Sequence, residues 1–445
     1  MSAADRAVGE RPGDGREPRP WSGVFRTRGH ARAVEAVRTM VVRGVPHAIL
    51  VGGPAGIGKT TLALDLAAAL LCDDPDPAAR PCRACRGCRL VERDRHPDLH
   101  RLAPAGPGDQ IRIGSRERPE EGTVRRLAAD LVLLAVEGGA RVAILERADR
   151  LTDDAQTALL KTLEEPPAGV TIVLCADDED RLMPTVRSRT ARIRLGPVAV
   201  REIEAILTDA GAADAPTAAR LARLSAGRPG IALLLARTPE AVAARDEIAR
   251  SLLDLIAGPP AVRLAAAKDL TVRATDVNRA LDRAARAGLG VTDAVAPARR
   301  SRKGPSAAPE PATLAATAGA STDGAPADVA AGPDDAADPE VEAGGRLSAS
   351  AAERRRAAIA LVGVWRDLAR DLAVAALGEA RRVRDPGLLD DLDAAAERLG
   401  DGAPAAIGAF LGRLDEAGEL LEANVRPELV LDGLLLGWPQ AVGAE

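Results

Sequence analysis

The first half of the chain alternates short apolar runs with amphipathic stretches. The apolar runs, which predict strands, are HAILVGG (47–53), DLHRLAP (98–104), RVAILE (141–146) and VTIVLCA (170–176). Helix-like stretches lie between them at 59–71, 123–135 and 152–164. Strands that alternate with helices pair in parallel, and parallel sheets are covered by helices on both faces. The pattern therefore predicts an α/β domain that extends from residue 21 to residue 197.

The rest of the chain has a helical pattern in two blocks. From residue 198 to about 290 it is helical throughout, apart from a break at GRPG (227–230). After residue 350, Leu361, Trp365, Leu368 and Leu372 recur at helical spacing, which places them on one face of a helix. We expect helical segments at 198–258, 259–292 and 351–445, the second being a connector or the start of the third.

Two segments have the composition of disordered chain. Residues 1–20 are rich in Gly, Pro, Arg and Asp. Residues 293–350 consist mostly of Ala, Pro, Gly, Asp, Ser and Thr, with a cluster of basic residues at 298–304 and an acidic stretch at 333–342. Neither segment has enough apolar side chains to offset the entropy lost on ordering. We expect a disordered tail and a disordered insertion. A solvated tether is favoured for the basic segment at 298–304, with contact to DNA as the alternative.

Charge and composition limit the classes of function. The formal net charge is -5 and aromatic residues make up 1% of the chain, so binding to nucleic acid without partners is disfavoured. The N-terminus has no apolar core segment of a signal peptide, and no run of about 18 apolar residues occurs. These features predict a soluble cytoplasmic protein that does not contact a membrane.

A phosphate-binding loop follows the first predicted strand. GPAGIGKT (53–60) fits G-x-x-x-x-G-K-[ST] and opens the helix-like stretch at 59–71. Lys59 would neutralise phosphate oxygens and Thr60 would hold Mg²⁺. Lys59 is one of only four lysines among 60 basic residues, which favours a specific role. The predicted ATP/Mg²⁺ site comprises Gly53, Pro54, Ala55, Gly56, Ile57, Gly58, Lys59, Thr60 and Thr61.

Four of the five cysteines have the spacing of a metal site. Cys72, Cys82, Cys85 and Cys88 form C-x₉-C-x₂-C-x₂-C. Four thiolates can close a tetrahedral Zn²⁺ site and leave no coordination position for water, so the predicted zinc is structural. Cys175 lies alone in VTIVLCA and is interpreted as a buried strand residue.

Together these motifs resemble the bacterial DNA polymerase III clamp-loader family of AAA+ ATPases. Besides the phosphate loop and the four cysteines that follow it, the resemblance includes ALLKTLEEPP (158–167), RSRT (187–190) and EANVRPELVLDGLLL (422–436). It covers about 24–240 and resumes near the C-terminus. It implies an α/β AAA+ P-loop module with a zinc-binding insertion, an all-α lid at 198–258 and an all-α C-terminal collar.

The resemblance also implies partners and one role in trans. Arg189 corresponds to the arginine finger that reaches the γ-phosphate of ATP bound to a neighbouring subunit. The implied partners are the gamma/tau and delta subunits, the sliding clamp, and primed DNA that the assembled ring holds. The chain would be a component of the DNA polymerase III holoenzyme without a polymerase site of its own.

Three departures from the family pattern concern hydrolysis. Glu146 and Arg147 stand where catalytic members have Asp-Glu, and Arg147 cannot accept a proton from water. The sensor position near Cys175 and Ala176 lacks a good hydrogen-bond partner for phosphate. Gly230 stands at the second sensor position, and the nearby Arg228 is followed by proline. Weak or absent hydrolysis is therefore expected, with Glu146 as a degenerate acid.

This combination favours the delta-prime branch of the family, a ring stator that donates Arg189 and helps to load the clamp. One alternative is a gamma/tau-type ATPase motor in which Glu146 acts without a second acid. Another is an ATP-sensing AAA+ scaffold that functions outside replication.

Overall fold

The computed structural model describes residues 21–105, 108–117, 120–137, 139–288, 350–423 and 425–441. The predicted tail (1–20) and the predicted insertion (293–350), apart from Ser350, lie outside these residues. Ser350 caps a helix: its hydroxyl accepts the Glu353 N–H, and the Glu353 carboxylate accepts the Ser350 N–H.

The N-terminal half contains a five-stranded parallel sheet. Its strands are β1 (Ala48–Gly52), β2 (Leu99–Leu102), β3 (Arg141–Leu145), β4 (Val170–Ala176) and β5 (Ala191–Arg194). Their order across the sheet is β2-β3-β4-β1-β5, and each neighbouring pair is parallel. The four predicted strands and their parallel pairing are confirmed; β5 was not predicted. Because β1 lies between β4 and β5, residues that follow β1 and β4 meet at one edge.

Helices cover both faces of this sheet. They are α1 (Ala31–Arg43), α2 (Lys59–Leu70), α3 (Arg86–Glu92), α4 (Val124–Val132), α5 (Asp153–Glu164) and α6 (Pro184–Arg187). Alternate side chains of β1 enter different cores: Ile49 and Val51 pack with α1 and α2, whereas Leu50 packs with α4 and α5. The alternation is the expected consequence of side chains pointing to opposite faces of a strand.

Three short helices extend the first core. They are α7 (Val200–Asp209), α8 (Ala215–Leu224) and α9 (Pro229–Ala236). Their buried residues, among them Ile203 and Leu221, belong to the same apolar cluster as Ile49 and Val51. The first part of the region predicted as a lid, residues 200–236, is therefore packed against the sheet domain in this structure.

The remaining helices form a second core. They are α10 (Pro239–Asp254), α11 (Pro260–Gly288), α12 (Ala351–Ala376), α13 (Leu389–Leu399), α14 (Ala403–Glu422) and α15 (Pro427–Gly437). Trp365, Phe410 and Trp438 meet at its centre, with ring centroids 4.7 to 5.4 Å apart. The predicted apolar face of α12 is buried there. The buried residues of α10 join this core, although α10 lies within the predicted lid range. Of the helices described, none is long and apolar enough to cross a membrane.

Arg263 ties three parts of the second core together. Its side chain is fully buried, and its guanidinium donates to the carbonyls of Gly258 (2.9 Å) and Trp438 (2.6 Å). It also reaches carbonyls of Ile256, Leu435 and Pro439. Burial lowers the pKa of Arg263 from its ordinary value. The residue therefore joins the start of α11 to the chain that follows α15.

Replacing Arg263 with methionine is expected to destabilise the protein by about 3 kcal/mol, because several buried carbonyls lose their donor. The midpoint of thermal unfolding measures this loss. Arg398→Met is the matched control, since Arg398 is exposed on α13. Equal midpoints for the two variants would contradict the structural role of Arg263.

Candidate functional site

The phosphate-binding loop lies where β1 leaves the sheet. Residues 53–58 connect β1 to α2, and Gly53, Gly56 and Gly58 have φ angles of +145°, +77° and +112°. A Cβ on Gly53 would lie 2.5 Å from the Leu195 carbonyl oxygen. Glycine is required here by both the backbone conformation and the close approach of neighbouring backbone. The structure therefore brings the predicted loop residues into the strand-loop-helix arrangement that presents backbone N–H groups to phosphate.

The other predicted loop residues fall into two groups. Pro54 and Ala55 are exposed at the loop tip, and Ile57 is buried beneath it. Thr60, which is half-buried, and Thr61, which is exposed, lie in the first turn of α2. His30 contributes from outside the motif, since its Nε2–H donates to the Ile57 carbonyl at 2.9 Å.

Lys59 is folded back onto the loop. Only 6% of its surface is exposed, and Nζ donates to the carbonyls of Gly53 (2.6 Å) and Pro54 (2.9 Å). Its third partner is the Asp177 carboxylate at 2.6 Å. The Asp177 N–H donates to the Asp149 carboxylate at 2.8 Å, which fixes its backbone. Asp177 therefore provides Lys59 with the negative charge that a bound phosphate would provide.

Asp177 was not among the residues predicted from the sequence. The predicted sensor position at the end of β4 was near Cys175 and Ala176, which are both buried. Burial raises the pKa of Cys175 to about 12, so this thiol stays neutral. The sequence feature that could have indicated Asp177 is its place directly after the last residue of a buried strand. Asp177 comes close to Lys59 because β4 pairs with β1, and this pairing is a property of the sheet order.

At the end of β3, Glu146 pairs with an arginine of the neighbouring strand β2. The Glu146 carboxylate accepts two hydrogen bonds from the Arg101 guanidinium on β2, one of them from Nε at 2.8 Å. Arg147 has a left-handed backbone (φ +50°) and pairs with Asp109 at 2.8 Å. Its Nε also lies 3.9 Å from Asp177. A cation therefore stands next to the carboxylate that pairs with Lys59.

Helix α9 closes over the loop through Gly230. The Gly230 N–H donates to the Gly56 carbonyl at 2.8 Å, and a Cβ on Gly230 would lie 2.9 Å from that oxygen. A larger residue at this position would require the loop backbone to shift. Arg228 precedes α9, and its Nε donates to the Ser225 carbonyl at 3.0 Å.

Arg189 lies at the surface after α6. About 36% of its side chain is exposed, and its guanidinium pairs with Glu164 at 2.6 Å and donates to the Thr185 carbonyl at 2.9 Å. Glu164 is the last residue of α5, within the ALLKTLEEPP segment (158–167) that carries part of the family resemblance. This segment and the RSRT segment (187–190) are thus adjacent in the fold.

The four predicted metal ligands come together between α2 and α3. Their sulfur atoms all lie within 4.8 Å of one another. Backbone N–H groups of Cys82, Cys85 and Cys88 point at the sulfurs of Cys72, Cys82 and Cys85, respectively, at 3.3 to 3.5 Å. Burial opposes ionisation of Cys82, but N–H groups of Ala84 and Cys85 outweigh it and lower the Cys82 pKa to about 7. The cluster has the ligand set and the spacing to hold one metal ion.

This cysteine module is anchored to the helix of the phosphate loop. Asp65 on α2 is buried, pairs with Arg83, and accepts the hydroxyl of Thr27 at 2.6 Å. A Cβ on Gly87 would lie 2.1 Å from the Leu71 carbonyl, so α3 approaches the end of α2 closely. The module and the phosphate loop therefore share one rigid support.

The parallel sheet, the glycine loop and Lys59 at the start of α2 define a P-loop protein. A family model described as DNA polymerase III, delta subunit, matches residues 30–199. The delta-prime subunit of Pseudomonas aeruginosa is 41% identical over 143 residues, 32% of this chain and 41% of that protein. The Escherichia coli delta-prime subunit is 35% identical over 187 residues, 42% of this chain and 53% of that protein. The tau subunit of Salmonella typhimurium is 33% identical over 181 residues, 40% of this chain and 26% of that protein.

The matched part of the chain is therefore similar to delta-prime and tau subunits of DNA polymerase III. The matches span about half the length, or less, of these relatives.

Proposed function

We propose that this protein is the delta-prime-type stator of a bacterial clamp loader. It occupies a ring with gamma/tau and delta subunits, presents Arg189 to a neighbour's ATP, and helps to place a sliding clamp on primed DNA. The observation that carries the proposal is the contrast between two sites. Arg147 and Asp177 crowd the chain's own phosphate loop, whereas Arg189 is available at the surface.

The loop residues fit a bound nucleotide in shape. Gly53, Gly56 and Gly58 allow the positive φ angles of the loop, and Lys59 supplies the cation. The acid-base side of the site fits hydrolysis poorly, because Glu146 is held by Arg101 and Arg147 cannot activate water. We propose that ATP with Mg²⁺ binds here without efficient turnover.

A reconstituted loader distinguishes the stator from a gamma/tau-type motor. The loader contains this chain together with gamma/tau subunits whose own phosphate-loop lysines are replaced by alanine. ATP turnover at the background level is expected, with no further loss when Lys59→Ala is added. Turnover that Lys59→Ala abolishes would identify this chain as a motor. Failure of the chain to assemble with gamma/tau, delta and the clamp would favour a scaffold outside replication.

We also propose that the cysteine cluster holds a structural zinc ion. All four ligand positions are sulfur, so no coordination site is left for water. The purified chain is expected to contain about one zinc per molecule. Cys82→Ser should lower that content severalfold, measured by metal analysis of the folded protein. Cys175→Ala is the matched control and should retain the zinc, because Cys175 lies in β4 outside the cluster. Full zinc content in the Cys82 variant would contradict the assignment.

A further inference from the structure

A groove lined by arginines lies between the sheet domain and the C-terminal helices. We call it the arginine groove; its twelve lining residues come from the segments 197–204, 223–227 and 381–384. Its volume is about 520 Å³. The first turn of α7 and the end of α8 form one wall, and the loop between α12 and α13 forms the other. The phosphate loop is not part of it.

Positive charge dominates the lining. Five of the twelve lining residues are arginines (Arg201, Arg223, Arg381, Arg382 and Arg384), whereas Glu204 is the one acid among the twelve. The chain as a whole has a formal charge of -5, so the positive charge of this groove contrasts with the net negative charge of the protein. Guanidinium groups that line one groove repel one another, so the binding of a polyanion there is electrostatically favourable.

Three of these arginines have no acidic partner within the residues that the structure describes. Arg384 pairs with Asp367 at 2.9 Å, and Arg382 lies 3.6 Å from Glu379. Arg201, Arg223 and Arg381 are exposed and form no ion pair with any described side chain. Their donors are therefore available to a ligand.

The start of α7 adds a further positive feature. This ten-residue helix begins beside Arg201, and its N-cap residue, Ala199, offers no side-chain acceptor to the first-turn N–H groups. The partial positive charge of the helix N-terminus adds to that of the arginines, and the Glu202 carboxylate in the same turn offsets part of it. Arginine binds phosphate through two parallel N–H donors, so phosphate is well matched to this lining.

The remaining lining residues indicate what kind of phosphate compound fits. They are Pro, Val, Ala, Gly and the single Glu204, without an aromatic ring or an amide to recognise a base. A lone nucleotide would gain contacts only through its phosphates, whereas a strand can offer several successive phosphates. We infer that the arginine groove binds the sugar-phosphate backbone of a nucleic-acid strand without reading its sequence.

The inference is tested on the full chain with fluorescent oligo(dT) titrated at several salt concentrations. The variant R201A/R223A/R381A removes the three unpaired arginines. The control R43A/R237A/R398A removes the same charge from exposed arginines on or beside α1, α9 and α13. Loss of three phosphate contacts should weaken binding about tenfold at low salt and reduce the salt slope by about 2. The control should resemble the unaltered chain.

Equal weakening by the two triple variants would overturn the inference, because overall charge would then account for binding. Poly-glutamate that competes as strongly as unlabelled oligo(dT) would also overturn it, by showing an acidic-peptide site.

Matching thermal unfolding midpoints establish that the variants fold. If the triple variant does not fold, R381E in the exposed loop serves instead. Lys59→Ala should leave oligo(dT) binding unchanged, which separates this site from the proposed ATP site.

Discussion

Replacing Arg189 with alanine is expected to lower ATP hydrolysis at the neighbouring subunit's site by about 10³-fold, while the ring still assembles. A fixed guanidinium stabilises the charge that develops on the transferred phosphoryl group, and its loss typically has this magnitude. Arg189→Lys should recover only part of the activity, because an ammonium group lacks the planar fork.

The structure explains how Arg189 could be released for this role. Its present partner, Glu164, is half exposed, and an exposed ion pair contributes at most about 1 kcal/mol. A neighbour's phosphate can replace such a partner at low cost. The measurement is single-turnover hydrolysis in a loader whose only intact site is the neighbour's.

Arg192→Ala is the matched control for this experiment. Arg192 is exposed on β5, three residues along the chain, and forms no ion pair among the described residues. It should leave the rate unchanged. A rate unaffected by Arg189→Ala would make Arg189 an ordinary surface residue and would remove the main support for the stator proposal.

Replacing Asp177 with asparagine is expected to raise the affinity of the isolated chain for ATP about tenfold. Lys59 is buried and now neutralised by the Asp177 carboxylate, which nucleotide phosphate must displace. The same carboxylate would repel the incoming phosphates. Removing a close pair of like charges is worth about 1.4 kcal/mol or more, which is a factor of ten in affinity.

Nucleotide titration with and without Mg²⁺ measures this effect, with Asp178→Asn as the control. Asp178 is the next residue along the chain, is half exposed, and lies 3.6 Å from Arg181 at the surface. Its replacement should leave the affinity unchanged. Weaker binding in the Asp177 variant would contradict the prediction and would show that Asp177 helps to hold Lys59 or the metal.

Much of the fold was predictable because periodicity reports which faces are buried. The apolar runs at 47–53 and 170–176 correspond to β1 and β4, every residue of which is buried. Strand β5 was not predicted because it is only four residues long and reads ARIR, with one fully buried position. Its strand character depends on pairing with β1, which the local sequence does not encode.

The candidate site was predictable to the extent that its residues are contiguous. The phosphate loop and the cysteine cluster each lie within a short segment whose spacing carries the chemistry. The partners of Lys59 and Glu146 were not predictable, because Asp177 is 118 residues from Lys59 and Arg101 is 45 residues from Glu146.

The sequence by itself determined the parallel α/β domain, the glycine loop with Lys59, and the four cysteines at metal-site spacing. These features depend on local pattern: the phosphate loop (53–60) and the cysteines (72–88) each lie in one short segment, and each strand or helix of the domain has its own periodicity. The tertiary structure decided what surrounds them: Asp177 against Lys59, Arg101 against Glu146, and arginines from distant segments in one groove. The sheet order and the packing of helices bring these charges together, and neither is encoded by the local sequence around any one of them.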